Sequence, residues 1–166
     1  FWAAATSARH KRKMAGPGKK PHDPGETDAD ILWTYDMMKN LGVRPHNITS
    51  SSVALVEGMI VATTSNGFDE EHDHLPAPEA PSLITLDAIT GKLKGVEQAG
   101  ISKATMHCNW SSPAYVPDLN GVPTVIFGAG DGYCYGFHAE EFQEPDEEGF
   151  VFLKELWKVN CCPDEY

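Results

Sequence analysis

Long apolar runs are missing from this 166-residue chain. No stretch reaches the roughly 18 apolar residues of a membrane-spanning helix, which excludes one. Positive charge is scarce as well. Thirteen Lys and Arg stand against 24 Asp and Glu, a formal net charge of −11. That balance excludes nucleic acid as the main partner, because phosphate binding needs a basic footprint. The basic charge gathers over residues 9–20, whereas 69–73 and 140–148 are acidic, and each run reads as a solvated loop. Cysteine is limited to Cys108, Cys134, Cys161 and Cys162. The count allows two disulfides, but the spacings are not those of paired zinc hooks. Cys161 and Cys162 could join each other only through a strained vicinal bridge. The start, Phe1, Trp2 and three alanines, is too short for the apolar region of a signal peptide and lacks its basic lead. Because it also lacks Met, a processed or partial product is the expectation.

What is present is a short-strand grammar. The chain is 41% hydrophobic with seven Phe, five Tyr and four Trp, enough for a packed core. Its 15 Gly and 12 Pro supply many turns. Residues 1–29 hold Gly16, Pro17, Gly18, Pro21, Pro24 and Gly25 with hardly an apolar residue after Met14, so they read as a loop or extended arm that orders only against something else. Over 30–41 two periods compete. Ile31, Tyr35, Met38 and Leu41 fall at helical spacing, whereas Trp33, Tyr35 and Met37 alternate as in a strand. The aromatic content at the front predicts a strand over 31–36, then a helical turn over 36–41 stopped by Gly42.

From Ser50 the pattern becomes regular. Strands are predicted over 53–56 and 59–64, joined by Glu57-Gly58, with Asn66-Gly67 as a further turn signal. After an acidic loop, 82–87 and 93–97 follow as strands, joined by Thr90, Gly91 and Lys92. The same order then returns. Trp110, Ser111, Ser112 and Pro113 open the second unit, with a hairpin loop over 118–123 and strands over 124–127, 133–138 and 152–159. Aligning Ser51-Ser52 with Ser111-Ser112 gives an offset of 60 residues, and a recurring unit of four short strands is the signature of propeller blades. The blades span about 47–98 and 107–160. The predicted fold is therefore all-β, a partial β-propeller of about two four-stranded antiparallel blades plus the outer strand of a preceding blade. Two blades cannot close a ring, so more chain or a partner is expected beside them.

Several strings carry a resemblance. They are 27–37, 41–47 and 64–67; 80–83, 86–87 with 90–92, and 100–103; and 107–113, 127–135 and 153–157, with His107, Cys108, Asn109, Trp110, Ser111, Ser112 and Pro113 the most unusual. Over roughly 14–166 the chain resembles the pyrroloquinoline-quinone (PQQ)-binding-like β-propeller repeat proteins common in planctomycetes and related bacteria. The resemblance implies an exported, periplasmic or cell-envelope protein. It does not imply that quinone is bound. Residues 92–96 lack the Trp that usually ends a blade's last strand in that superfamily, and 1–13 match nothing in it.

Four groups are candidates for chemistry. Over 69–74, carboxylates suit hard cations and imidazoles suit transition metals, so His72, Asp73 and His74 form a candidate metal site within what otherwise reads as a solvated loop. Cys161 and Cys162 resemble the vicinal pair of quinoprotein alcohol dehydrogenases, but the accompanying calcium ligands, base and Trp of those enzymes have no match here. Residues 128–132 are rich in glycine, yet a strand rather than a helix follows, so they read as a tight turn. His107, beside Asn109 and Trp110, reads as a packing residue. No Ser/His/Asp nucleophile arrangement exists. The expectation is a non-catalytic propeller segment acting as a protein-interaction or scaffold module, with no cofactor. It could be an accessory subunit of a larger redox complex. A fragment of a quinoprotein dehydrogenase with PQQ and calcium is the alternative. Partners are then the remaining blades or another protein.

Overall fold

The computed structural model describes residues 2–7, 30–47 and 50–162. Its regular structure is mostly strand: β1 (Trp2–Ser7), β2 (Asp30–Asp36), α1 (Met37–Leu41), β3 (Ala54–Val56), β4 (Met59–Thr63), β5 (Leu83–Asp87), β6 (Leu93–Val96), α2 (Ile101–Ala104), β7 (Ala114–Leu119), β8 (Val122–Gly128), β9 (Tyr133–Phe142) and β10 (Leu153–Asn160). β3–β6 form one four-stranded sheet and β7–β10 another, each pairing in chain order. Every pairing within the two sheets is antiparallel. The all-β reading and the two four-strand units therefore hold.

β2 and α1 follow from their local chemistry. Asp36 caps the helical turn by accepting the Lys39 N–H at 3.0 Å. Gly42 ends it in the left-handed region at φ 69°, donating its N–H to Met38. Residues 2–7, read from sequence as part of a loop or arm, instead form β1, antiparallel to β2. The Pro- and Gly-bearing remainder of the arm, 8–29, lies outside the described residues.

The sheets stack face to face. Trp33, Met37 and Val43 cover Ala62, Ile84, Leu86 and Val96 on one face of the first sheet. On its other face Val56, Val61 and Leu83 meet Val125, Phe127, Tyr135, Phe137 and Leu153 of the second. Adjacent residues Leu83 and Ile84 thus point into different cores, both fully buried, as the two-residue period of a strand requires. Trp33 is fixed at its rim by a bond from Nε1 to the Ala88 carbonyl, 3.1 Å. Its ring lies so close to Gly91 that a Cβ there would meet it.

Two turns show the price of a short connection. Glu57 and Gly58 link β3 to β4 with φ values of 43° and 77°; Asn120 and Gly121 link β7 to β8 at 56° and 86°. Such left-handed pairs match the twist of flanking strands. The hairpin loop expected over 118–123 is accordingly only two residues long, and β7 and β8 extend into it. Asn66-Gly67 behaves differently. β4 does not turn back there but leads into a long loop ending at β5. It is Ser65 that takes positive φ, while Asn66 is fully buried. Its Oδ1 accepts the Arg44 N–H at 2.8 Å, and its Nδ2 donates to the Ala77 carbonyl at 2.7 Å and Ser102 Oγ at 3.0 Å. Asn66→Ala leaves these groups without their partner around a buried position and should lower unfolding free energy by about 1–3 kcal/mol. Urea denaturation measures this, and a change under about 0.5 kcal/mol, the range of a featureless surface site, would contradict the network's role.

Candidate metal centre

In a meander, successive connections alternate between the two ends of the sheet. The lead-in to β3, the β4–β5 loop, the lead-in to β7 and the β8–β9 turn therefore share one end. Each lead-in is tied to the end of its own second strand. His46 donates its N–H to Ser65 at 3.0 Å and Met106 donates its N–H to Gly130 at 3.1 Å. The two lead-ins also touch each other: Ser51 Oγ donates to the Trp110 carbonyl at 3.0 Å, and the Ser52 N–H donates to Ser112 Oγ at 2.9 Å. The residues aligned at the 60-residue offset are thus spatial neighbours.

This arrangement brings three histidines together. His46 is buried, His107 half-buried and His72 exposed, and their ligand atoms all lie within 4.8 Å of one another. His46 Nε2 is 2.7 Å from His107 Nε2, which is 3.1 Å from His72 Nε2. The proton positions follow from partners. His46 Nδ1 faces the Phe68 carbonyl at 2.9 Å, an acceptor only, so Nδ1 carries the hydrogen and Nε2 presents its lone pair inward. This is the arrangement that orients a metal-binding imidazole. Phe68 also donates its N–H to the His107 carbonyl at 3.0 Å, so one short segment holds two of the three residues.

His72 reaches the group because its loop closes on itself. Asp69 Oδ1 accepts the N–H groups of Asp73 and His74, and the Asp69 N–H returns to the His74 carbonyl at 2.9 Å. His72 sits at the tip with φ 64°, a conformation a non-glycine side chain adopts at a cost. Burial pushes the Asp69 carboxyl up, but the bonds from His74 and Asp73 outweigh it and hold it below its ordinary value. Glu70, Glu71 and Asp73 are exposed on the same loop and place negative charge beside the imidazoles.

The Asn47 amide nitrogen, 2.8 Å from His46 Nε2, can donate to that atom, and a single proton can serve His107 and His72, whereas one cation would join all three imidazoles. Tetrahedral zinc with bonds of about 2.0–2.1 Å separates its ligand atoms by roughly 3.4 Å. The observed 3.1 Å lies within a few tenths of that spacing, the 2.7 Å falls short of it by about 0.7 Å, and all the ligand atoms lie within 4.8 Å of one another. Three imidazoles suit zinc, copper, nickel or iron and not calcium. Trp110, 44% exposed, flanks the group with its ring 4.9 Å from that of His107.

Of the residues proposed from sequence, His72 belongs to this trio. His74 instead faces Asp69 Oδ2 at 3.2 Å, and Asp73 contributes its N–H to the loop. Neither is in the cluster. Local sequence does not mark His46 for chemistry and marks His107 only for packing; the signal that pairs them is their separation of 61, one residue from the repeat period. The glycine-rich segment 128–132 is a turn into β9, as expected. All four cysteines are free thiols, with Cys161 and Cys162 exposed; burial raises the Cys108 thiol to about 11. No helix among the described residues is long and apolar enough to cross a membrane. No protein-family model, curated protein or solved structure matches the chain.

Lost hydration, followed by the proximity of His46 and His72, holds His107 below its ordinary pKa of 6.5. Its depressed value in the folded state favours folding above the unfolded pKa. That contribution is lost as pH falls from about 6.5 through the folded value. NMR titration of the metal-free protein should find His107 titrating below 6.5; a midpoint at or above 6.5 would contradict the crowding.

Proposed function

We propose that this chain is a two-blade segment of a β-propeller, a non-catalytic scaffold whose loop face is pinned by one divalent transition-metal ion on His46, His72 and His107. The observation that carries the metal reading is the convergence of three Nε2 atoms from three separate segments belonging to both repeats. The propeller reading rests on the two meanders stacked face to face and on their register. Ala54 and Val56 lie on the face that the second sheet covers, and Val56 is fully buried. Their counterparts at the 60-residue offset, Ala114 and Val116, lie on the opposite, uncovered face of the second sheet, together with Ile126, Cys134, Trp157 and Val159. Val159 is 55% exposed there. A further sheet of the same kind would bury this face as the second sheet buries the first. The resemblance to quinone-binding-like propellers accords with this architecture, and an exported or cell-envelope setting belongs with it.

Zinc titration followed by calorimetry tests the metal reading. One ion should bind per chain, and His46→Ala or His107→Ala should weaken it by about 100-fold or more, since even the loss of a group that only supports a ligand costs about 10–100-fold. Zinc at 100 times its Kd should stabilise the fold by about 2.7 kcal/mol and raise Tm accordingly. An affinity indifferent to both substitutions would defeat the proposal.

A further inference from the structure

We infer that Asn47 supplies a fourth ligand to the ion through its carboxamide oxygen, making the centre a closed structural site. The inference rests on the three-histidine reading. Asn47 follows His46 and adopts φ 53°, a conformation asparagine tolerates better than most residues. Its side chain turns back onto the imidazole, with Nδ2 2.8 Å from His46 Nε2. That nitrogen presents its lone pair towards the cluster, because the other ring nitrogen is committed to the Phe68 carbonyl.

With the Nε2 lone pair given to an ion, the Asn47 amide hydrogens lose their acceptor and face a cation. Rotation of the carboxamide by half a turn exchanges its two ends and places Oδ1, an acceptor with two lone pairs, in the same position. The observed 2.8 Å is within several tenths of the roughly 3.4 Å between ligands of a tetrahedral zinc ion. With the backbone unmoved, the rotated carboxamide therefore sets the oxygen beside one ligand atom of the trio. Three nitrogens and one protein oxygen fill four positions, the condition that separates structural zinc sites from catalytic ones, which keep one position for water or substrate. A closed site accords with a scaffold whose ion joins the loops of two repeats.

Two substitutions at this exposed position test the assignment. Asn47→Gly removes the side chain while accommodating positive φ, and Asn47→Asp keeps an oxygen while removing the amide donor. Zinc affinity by calorimetry and the visible absorption of the cobalt(II)-loaded protein are the readouts. Asn47→Gly should weaken zinc about tenfold or more, Asn47→Asp should bind at least as tightly as the parent, and both should shift the cobalt bands. If Asn47→Gly leaves affinity and spectrum unchanged, water holds the fourth position and the inference fails. If Asn47→Asp is weakened like Asn47→Gly, the amide acts as a donor and the inference fails equally. Absence of zinc binding by the parent protein would instead fell the three-histidine reading, and this one with it.

Discussion

Asn66 and Asn109 are buried carboxamides, one from each repeat, and the loop face depends on the hydrogen bonds between them. Each oxygen accepts a backbone N–H, Arg44 at 2.8 Å for Asn66 and Gly130 at 2.7 Å for Asn109. Their nitrogens meet through serine: Asn66 donates to Ser102 Oγ, Asn109 to Ser82 Oγ, and the two hydroxyls are 2.8 Å apart. The chain of bonds therefore crosses from one repeat to the other without passing through water. Buried polar groups tolerate few alternatives, because any other arrangement leaves one of them unpaired. Apolar stacking holds the sheets together, but it is not directional. This network fixes where the lead-in segments end and so where His46 and His107 stand.

The fold was largely legible because its signals are local. Alternation in β5 and the Glu57-Gly58 turn mark strands and hairpins within a few residues of themselves. The 60-residue offset marks the repetition of the unit. Asp36 and Gly42 similarly bracket α1. Long-range contacts overrule a local preference at Asn66-Gly67: the chain leads on into the expected acidic loop, but the turn signal makes no hairpin because the Asn side chain is taken up by three other segments. Over 118–123 the reverse occurred, since a two-residue Asn-Gly turn suffices where a longer loop was expected. Strand β1 had no signal beyond its partner, and pairing with β2 alone defines it.

The histidine cluster was half legible. An acidic, histidine-bearing loop was visible at 69–74, and His72 is indeed in the cluster. The partners expected within the loop are not, because in closing the loop Asp69 uses the His74 side chain and the backbone N–H of Asp73. The actual partners lie 26 and 35 residues away in sequence, on separate segments, and local spacing carries no trace of such convergence. Only the repeat could have revealed them, since His46 and His107 occupy similar places ahead of successive blades.

In this account the repeats supply two imidazoles, an acidic loop supplies the third, and an ion ties the loops of neighbouring sheets. The most direct test is X-ray absorption at the zinc edge on the zinc-loaded, intact chain. A zinc ion on the three histidines should show a first shell of nitrogen and oxygen at about 2.0–2.1 Å with the multiple scattering of three imidazoles and no sulfur. A shell containing sulfur at about 2.3 Å, or one with fewer than three imidazoles, would contradict it by placing the ion on the free cysteines or elsewhere on the acidic surface.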